Sequence, residues 1–355
     1  MLKLINREFS QEEWLGIITG FKDQSLMQTW EYAQAKAAIS SWRVKRAIFQ
    51  DGDVIVGAVQ ALIRPIPLID GGLVWINQGP LWRRSGNGNF SLLVEMLKEI
   101  RRHWVEELHF HVRIAPAVYS GQQFIKEFET IGFHLVDNSR DWTSAQLDLS
   151  KTEKQLRKEF KHKWRGDLNA SERRGAICVS GISMELFENF LSHYKPFLAK
   201  KKLSTTITPR LLRELQSRLP DERKAWIFEG MFKQESLGGL LVAGYGDSCI
   251  ALAGSNPNEK GRQLRSGNLV WWHAILKMKE LGYRWFDVGG ADPDLTPKTI
   301  LHFKAGLSGT PYQLVGEFEC SRGKLLDHAI SLYIERGRKP KSLGHIPHVF
   351  AENRK

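Results

Sequence analysis

The apolar run Leu237-Gly-Gly-Leu-Leu-Val-Ala-Gly-Tyr245 decides the fold of this chain, because it has the composition of a buried strand and further strands flank it. Lys224–Glu229 precedes it, and Ser248–Ala253 follows it after a short turn. A helical pattern at Gly267–Leu281 comes next and leads into a strand at Arg284–Val288. The order predicts a hairpin, a third strand, and a helix that feeds a central strand.

The first half of the chain has the same layout. Its corresponding segments, in the same order, are Arg43–Phe49, Val54–Leu62, Leu73–Gln78, the helical pattern from Phe90 to Trp104 and the strand Leu108–Ile114.

Two copies of one layout indicate an internal duplication. Each copy is a mixed, twisted sheet flanked by helices, which predicts an α+β fold of two tandem lobes, and the order of elements suits the GNAT-like (N-acyltransferase) fold. A chain of 355 residues has the length expected of two domains. We assign residues 1–150 to the first lobe, 151–335 to the second and 336–355 to a basic C-terminal tail.

The chain is strongly basic, with a formal net charge of +12 at pH 7. Such a charge attracts polyanions, so nucleic acid, a diphosphate-bearing substrate and peripheral contact with an anionic membrane surface all agree with its sign. The N-terminus lacks the apolar core of a signal peptide, and no apolar stretch is long enough to span a bilayer. We therefore expect a cytoplasmic protein, of unknown oligomeric state.

The three cysteines, Cys178, Cys249 and Cys320, are widely spaced and form no CxxC pair. We interpret them as buried small side chains rather than as nucleophiles or metal ligands. The histidine pairs His109-x-His111 and His345-x-x-His348 have no carboxylate or thiolate nearby to complete a metal site. No metal or redox cofactor is implied.

Several segments resemble the Fem-type (FemX/FemAB) aminoacyltransferases of peptidoglycan bridges, and they occur in the same order along almost the whole chain. They are Gln28–Lys36 with Trp42, Gln78–Leu81, Trp142–Leu149, Lys163–Arg165 with Ala170–Gly175, Trp272–Gly282, Phe286–Gly290, and Phe303-Lys304 with Gly306 and Gly309.

The resemblance implies transfer of an amino acid from aminoacyl-tRNA to an amine of a peptidoglycan precursor or a related amine acceptor. In such a reaction a neutral amine attacks an activated ester, so the enzyme has to position two substrates and stabilise an oxyanion. A covalent nucleophile is not required.

Lys304 is the first candidate catalytic residue, because the resemblance puts it near the 3′ end of the tRNA. Phe303 would contact the same substrate or serve only as a packing anchor. Asp287 ends a predicted strand, and Gly289-Gly290 lets the backbone turn sharply or approach a ligand. The Asp287 carboxylate would orient the attacking amine or a ribose hydroxyl, or would cap the turn without any chemistry.

Lys36 matches a family lysine that is linked to the phosphates of a nucleotide-sugar peptide acceptor. The second-lobe partners expected to share that phosphate are not evident in Thr206–Arg213, where Arg213 or Arg210 would substitute for them. A solvated helix face is the alternative interpretation of Lys36.

Lys154, Lys158, Lys161 and Arg165 are predicted to follow one face of a helix. Such a stripe would bind tRNA phosphates, although many basic helix faces are merely solvated.

A competing signal is Arg83-Arg-Ser-Gly86-Asn-Gly88, which fits the Arg-x-x-Gly-x-Gly loop that binds the coenzyme A diphosphate in GNAT enzymes. It keeps open an acyl-CoA-dependent N-acyltransferase on the same fold. The loop lies in the first lobe, however, and Arg262–Gly267 in the second lacks the matching spacing, so ordinary turn chemistry is the alternative interpretation.

Overall fold

The structure is a computed structural model that describes residues 2–66, 71–84, 88–137, 141–201, 205–255, 258–294 and 296–323.

The chain forms two compact units. The first contains Met1–Trp142 and a return segment that begins at Gln313, and the second contains Thr143–Tyr312. The predicted tail, residues 336–355, lies outside the described residues.

The elements up to residue 142 are β1 (Leu2–Asn6), α1 (Gln11–Ile18), α2 (Trp30–Ala38), β2 (Arg43–Asp51), β3 (Val54–Pro65), β4 (Gly72–Asn77), α3 (Phe90–Ile100), β5 (Phe110–Ala115), α4 (Gln122–Thr130) and β6 (His134–Leu135). Helix α3 continues as a π-helical segment at Arg101–Glu107, and a 3₁₀ turn precedes α2 at Leu26–Gln28.

The remaining elements are β7 (Thr143–Asp148), α5 (Glu153–Glu159), α6 (His162–Arg173), β8 (Ile177–Gly181), α7 (Met184–Lys201), α8 (Pro209–Arg218), β9 (Trp226–Phe232), β10 (Glu235–Tyr245), β11 (Ser248–Gly254), α9 (Glu259–Leu264), α10 (Ser266–Glu280), β12 (Trp285–Asp287), α11 (Lys298–Ala305), β13 (Thr310–Gln313) and β14 (Phe318–Cys320). A 3₁₀ turn at Asp221–Arg223 precedes β9.

The two sheets have the same topology. Within the described residues each has seven strands, in the orders β1-β2-β3-β4-β5-β14-β6 and β8-β9-β10-β11-β12-β7-β13. In each sheet the fourth and fifth strands pair in parallel, β4 with β5 and β11 with β12, and the sixth strand pairs antiparallel with the fifth. The predicted α+β fold of two mixed sheets flanked by helices is confirmed.

The sixth strand of each sheet comes from the other half of the chain. The sequence predicts β7 in the first lobe, but this strand lies in the second sheet. Strand β14 follows the strands of the second sheet along the chain and lies in the first sheet. The structural division therefore differs from the predicted one at 150 and 335. The physical reason is that a strand joins the sheet whose open edge it can pair with, and apolar periodicity does not show which sheet that is.

The core of the first unit lies on both faces of its sheet. Ala47 and Phe49 of β2 pack in the cluster that contains the α3 residue Leu97, while Ile48 packs with Trp14 of α1 on the opposite face. This is the alternation expected of a strand buried on both sides. In the second unit, α6 and α10 pack on the sheet, and their residues Trp164 and Trp272 belong to the same core cluster as Phe286 of β12.

No helix in the part of the chain that the structure describes is both long and apolar enough to cross a bilayer.

Candidate functional site

Asp287 is the last residue of β12 and is buried. Its Oδ1 atom accepts hydrogen bonds from the backbone N–H of Gly289, at 2.7 Å, and from the hydroxyl of Ser144, at 2.5 Å. Its Oδ2 atom accepts a hydrogen bond from the hydroxyl of Tyr312. Burial raises the pKa of the Asp287 carboxyl, and these hydrogen bonds together with the Lys304 charge oppose that rise.

The turn after Asp287 requires glycine at its centre. Gly289 has a φ of +74°, and a Cβ atom there would lie 2.6 Å from the carbonyl oxygen of Ala251 in β11. A side chain would therefore be strained and would also clash with backbone. The predicted sharp turn at Gly289-Gly290 is present, and the Asp287 side chain caps it through the Gly289 N–H.

Lys304 lies in the last turn of α11 and points back at this turn. Its Nζ donates a hydrogen bond to the carbonyl oxygen of Gly290 at 2.8 Å. Burial lowers the pKa of Lys304 to about 8, and the negative charge of Asp287 opposes that shift. Among the residues that the structure describes, the ammonium has no other hydrogen-bond acceptor, so two of its three protons remain for a ligand.

Phe303 packs between two tryptophans. Its ring centroid lies 5.8 Å from that of Trp164 in α6 and 5.6 Å from that of Trp271 in α10. Gly306 makes this close packing of α11 on α6 possible, because a Cβ atom there would lie 2.4 Å from Trp164 Cδ1. The contacts agree with the packing-anchor interpretation of Phe303, which fixes the helix that carries Lys304.

The sequence alone does not point to Ser144 or Tyr312 as residues of the site. Ser144 stands inside a segment that carries the family resemblance, and Tyr312 follows another such segment, but neither has a distinctive local pattern. The signal that could have found them is the strand order, which puts β7 beside β12 and β13 beside β7.

The basic stripe from Lys154 to Arg165 does not lie on one helix. Helix α5 ends at Glu159, the backbone of Phe160 and Lys161 is extended, with ψ of 144° and 145°, and α6 begins at His162. The predicted single helical face is therefore wrong.

The Arg165 side chain forms hydrogen bonds within the elbow, which is the bend between α5 and α6 at Phe160 and Lys161. Its Nη1 donates hydrogen bonds to the carbonyl oxygens of Lys158 and Phe160, so it satisfies carbonyl groups at the end of α5. Lys154, Lys158 and Lys161 are exposed and remain available to an anion.

Lys36 lies near the end of α2 in the first unit and is half-buried. Burial lowers the pKa of Lys36 to about 8, and no residue that the structure describes accepts a hydrogen bond from its ammonium. The start of α2 is fixed by Gln28, whose amide donates to the carbonyl oxygens of Gln60 and Asn77 at 3.1 and 2.8 Å. A half-buried cation on a fixed helix suits the binding of an anion.

Arg213 is exposed on α8 and forms a two-pronged ion pair with Glu188 of α7. Its Nε and Nη2 atoms lie 2.7 and 2.6 Å from the two carboxylate oxygens. The two guanidinium nitrogens that could bind a phosphate together are already bonded to Glu188. Arg213 would have to leave this ion pair to bind a phosphate in the same way.

The candidate coenzyme A loop lies partly outside the described residues, which omit positions 85–87. Just before it, the backbone N–H groups of Trp82 and Arg83 each donate to the buried carboxylate of Asp23 at 3.0 Å. These two groups are therefore already bonded to an internal anion.

No group of three or more His, Cys, Asp or Glu side chains within the described ranges is arranged to hold a metal ion. The cysteines are free thiols; Cys249 and Cys320 are buried, and burial raises the pKa of the Cys178 thiol to about 12. A thiol with such a pKa is a poor nucleophile at neutral pH.

No protein-family model and no curated protein sequence matches the chain. Among solved structures, a crystal structure of FemX matches with a TM-score of 0.76 and 16% identity, over 92% of this chain and 99% of that one. The C-terminal domain of a putative lysylphosphatidylglycerol synthetase from Agrobacterium fabrum gives 0.53 and 11%, over 91% and 96%. A tandem GNAT protein from the clavulanic acid biosynthesis pathway gives 0.52 and 11%, over 91% and 99%.

These likenesses show the fold. The chain shares the fold of FemX and of the tandem GNAT protein, which is the fold that the sequence predicted.

Proposed function

We propose that this chain is an aminoacyltransferase that moves an amino acid from aminoacyl-tRNA to an amine of a peptidoglycan precursor or a related amine-bearing acceptor. The observation that carries the proposal is the Lys304 ammonium, which lies 2.8 Å from the Gly290 carbonyl oxygen and has two protons that no described residue accepts. The site lies at the end of the parallel strand pair of a GNAT-like sheet.

The chemistry of the site suits aminoacyl transfer. When an amine attacks the ester carbon, negative charge grows on the carbonyl oxygen, and a fixed cationic donor lowers the barrier if it reaches that oxygen. In this proposal Lys304 supplies the donor, or holds the phosphate next to the ester. Asp287 keeps the turn in place, because its oxygens already accept bonds from Ser144, Gly289 and Tyr312.

The two substrates would use different units. Lys36 would hold an anionic group of the acceptor in the first unit, and the exposed lysines of the α5–α6 elbow would hold tRNA phosphates in the second. Arg165 and Arg213 would take no direct part, since hydrogen bonds within the protein occupy both.

The test is incubation of the protein with a mixed pool of charged tRNAs and a panel of amine acceptors, followed by mass spectrometry. An acceptor heavier by one aminoacyl residue supports the proposal. A parallel reaction with acetyl-CoA and other acyl-CoA donors examines the rival donor class. Transfer from acyl-CoA, with none from any charged tRNA, would replace the tRNA proposal with the acyl-CoA one.

A further inference from the structure

Neutral donors from three separate segments surround the carboxylate of Asp287. One is the Ser144 hydroxyl on β7, one is the Gly289 N–H in the turn, and one is the Tyr312 hydroxyl on β13. A buried carboxylate keeps a fixed orientation when donors on several sides satisfy both of its oxygens.

The Ser144 hydroxyl also touches the backbone of the turn. Its oxygen lies 2.5 Å from Asp287 Oδ1 and 2.9 Å from the carbonyl oxygen of Gly289, so its single proton is shared between the two acceptors. Gly289 is thus fixed at its N–H by Asp287 and at its carbonyl by Ser144.

The turn has no room to shift toward β11, because the backbone of Ala251 lies directly against Gly289. The next carbonyl along the chain, that of Gly290, accepts the hydrogen bond from Lys304. The position of the ammonium therefore follows the position of the turn.

We infer that Ser144 and Tyr312 are positioning residues for the transfer: acting through Asp287, they hold the Gly289–Gly290 turn and thereby place the Lys304 ammonium. The inference rests on the proposed function for its kinetic consequence. Its structural consequence, a fixed Lys304, can be measured without any substrate.

The kinetic test uses Ser144→Ala and Tyr312→Phe, which each remove one hydroxyl and leave the rest of the side chain. Each variant should lose about tenfold or more in kcat, the effect of one hydrogen bond to a charged group, while KM for both substrates stays within about twofold. Ser144→Thr keeps the hydroxyl and should recover most of the rate. The control is Ser248→Ala, which removes an exposed serine–aspartate hydrogen bond at the start of β11.

The substrate-free test is the rate at which trinitrobenzenesulfonate modifies Lys304, followed by peptide mass spectrometry at pH 8. Loss of either hydroxyl should raise that rate severalfold, because a lysine released from the Gly290 carbonyl is freer to react. Lys36 is an internal standard, since burial also lowers its pKa to about 8, and its rate should not change.

The outcomes separate the inference from the proposed function. An unchanged kcat together with an unchanged Lys304 modification rate in Tyr312→Phe would overturn the inference, even if Ser144→Ala failed to fold. A faster Lys304 modification in a protein that transfers nothing from any donor would instead refute the function and uphold the positioning.

Discussion

Lys36 in the first unit and Lys304 in the second are both half-buried, and burial lowers the pKa of each to about 8. Their surroundings differ. Lys304 is tied to the Gly290 carbonyl and is influenced by the charge of Asp287, whereas among the described residues Lys36 has neither an acceptor nor a charged group that shifts its pKa.

The difference suggests two tasks. A cation fixed by its own protein costs little reorganisation when charge develops nearby, which suits a transition state. A cation without a fixed partner gains most when an anion arrives, which suits binding. We therefore expect Lys304 to govern the rate of transfer and Lys36 to govern the affinity for the acceptor.

The largest effect is expected from Lys304→Met. The substitution keeps an unbranched apolar stem beside Phe303 and removes the charge, so kcat should fall by roughly 10²–10³, the range for loss of one oxyanion donor. Steady-state transfer assays measure this, with thermal unfolding as the check on folding. A rate restored by saturating tRNA would show that Lys304 only binds a phosphate, and near-wild-type kinetics would remove it from the site.

The next effect is expected from Lys36→Ala. Removal of a shielded charge that binds a phosphate typically costs about 1.5–3 kcal/mol, so KM for the acceptor should rise by roughly 10- to 150-fold while affinity for tRNA is kept. Isothermal titration with each substrate separately gives both affinities. If Lys36→Ala lowered the affinity for both substrates equally, the proposal that Lys36 binds only the acceptor would be wrong.

The pH dependence gives a third comparison. Deprotonation removes the positive charge that would stabilise the oxyanion, and the pKa of Lys304 is about 8. If the rate depends on that charge, kcat should fall about tenfold for each pH unit above this value. Lys304→Arg retains its charge throughout this range, so its kcat should show no such decline. The measurement is the pH profile of kcat from pH 6 to pH 10, at saturating concentrations of both substrates. A decline shared by wild type and Lys304→Arg would have to be assigned to another group.

The smallest effect is expected from reversal of charge at Lys158 and Lys161 to glutamate. If both lysines contact phosphates, the slope of log affinity against log salt should flatten by roughly 1.4–1.8. The matched control is the same reversal at Lys3 and Lys126, which are exposed in the first unit. If the slope of log affinity for tRNA against log salt concentration were the same in the wild type and in the Lys158/Lys161 variant, these lysines would not contact tRNA phosphates.

Much of the fold and part of the site could be predicted from local sequence. The duplicated order of strands and helices was enough to predict the fold class. Asp287, Gly289, Gly290 and Lys304 lie in one short stretch of sequence, and in the structure Lys304 donates a hydrogen bond to Gly290. Local order was sufficient there because turn chemistry and helix spacing act over a few residues.

The failures have physical causes as well. The break between α5 and α6 falls at Phe160 and Lys161, with no glycine or proline to signal it, and Arg165 closes it by a contact that periodicity does not reveal. Ser144 reaches Asp287 only because β7 crosses into the second sheet, a pairing over a long sequence separation. Residues brought together by strand order leave no trace in local spacing.

The crossing of β14 into the first sheet has a consequence for how this protein is made. The Arg113–Glu317 ion pair joins positions 204 residues apart, and β14 ends only at Cys320. While the ribosome is still translating the second half, the nascent first half has β5 without its antiparallel neighbour. Contacts of such long range form late and slow the folding of a chain. The first sheet therefore lacks β14, the strand that links β5 to β6, until translation has passed Cys320.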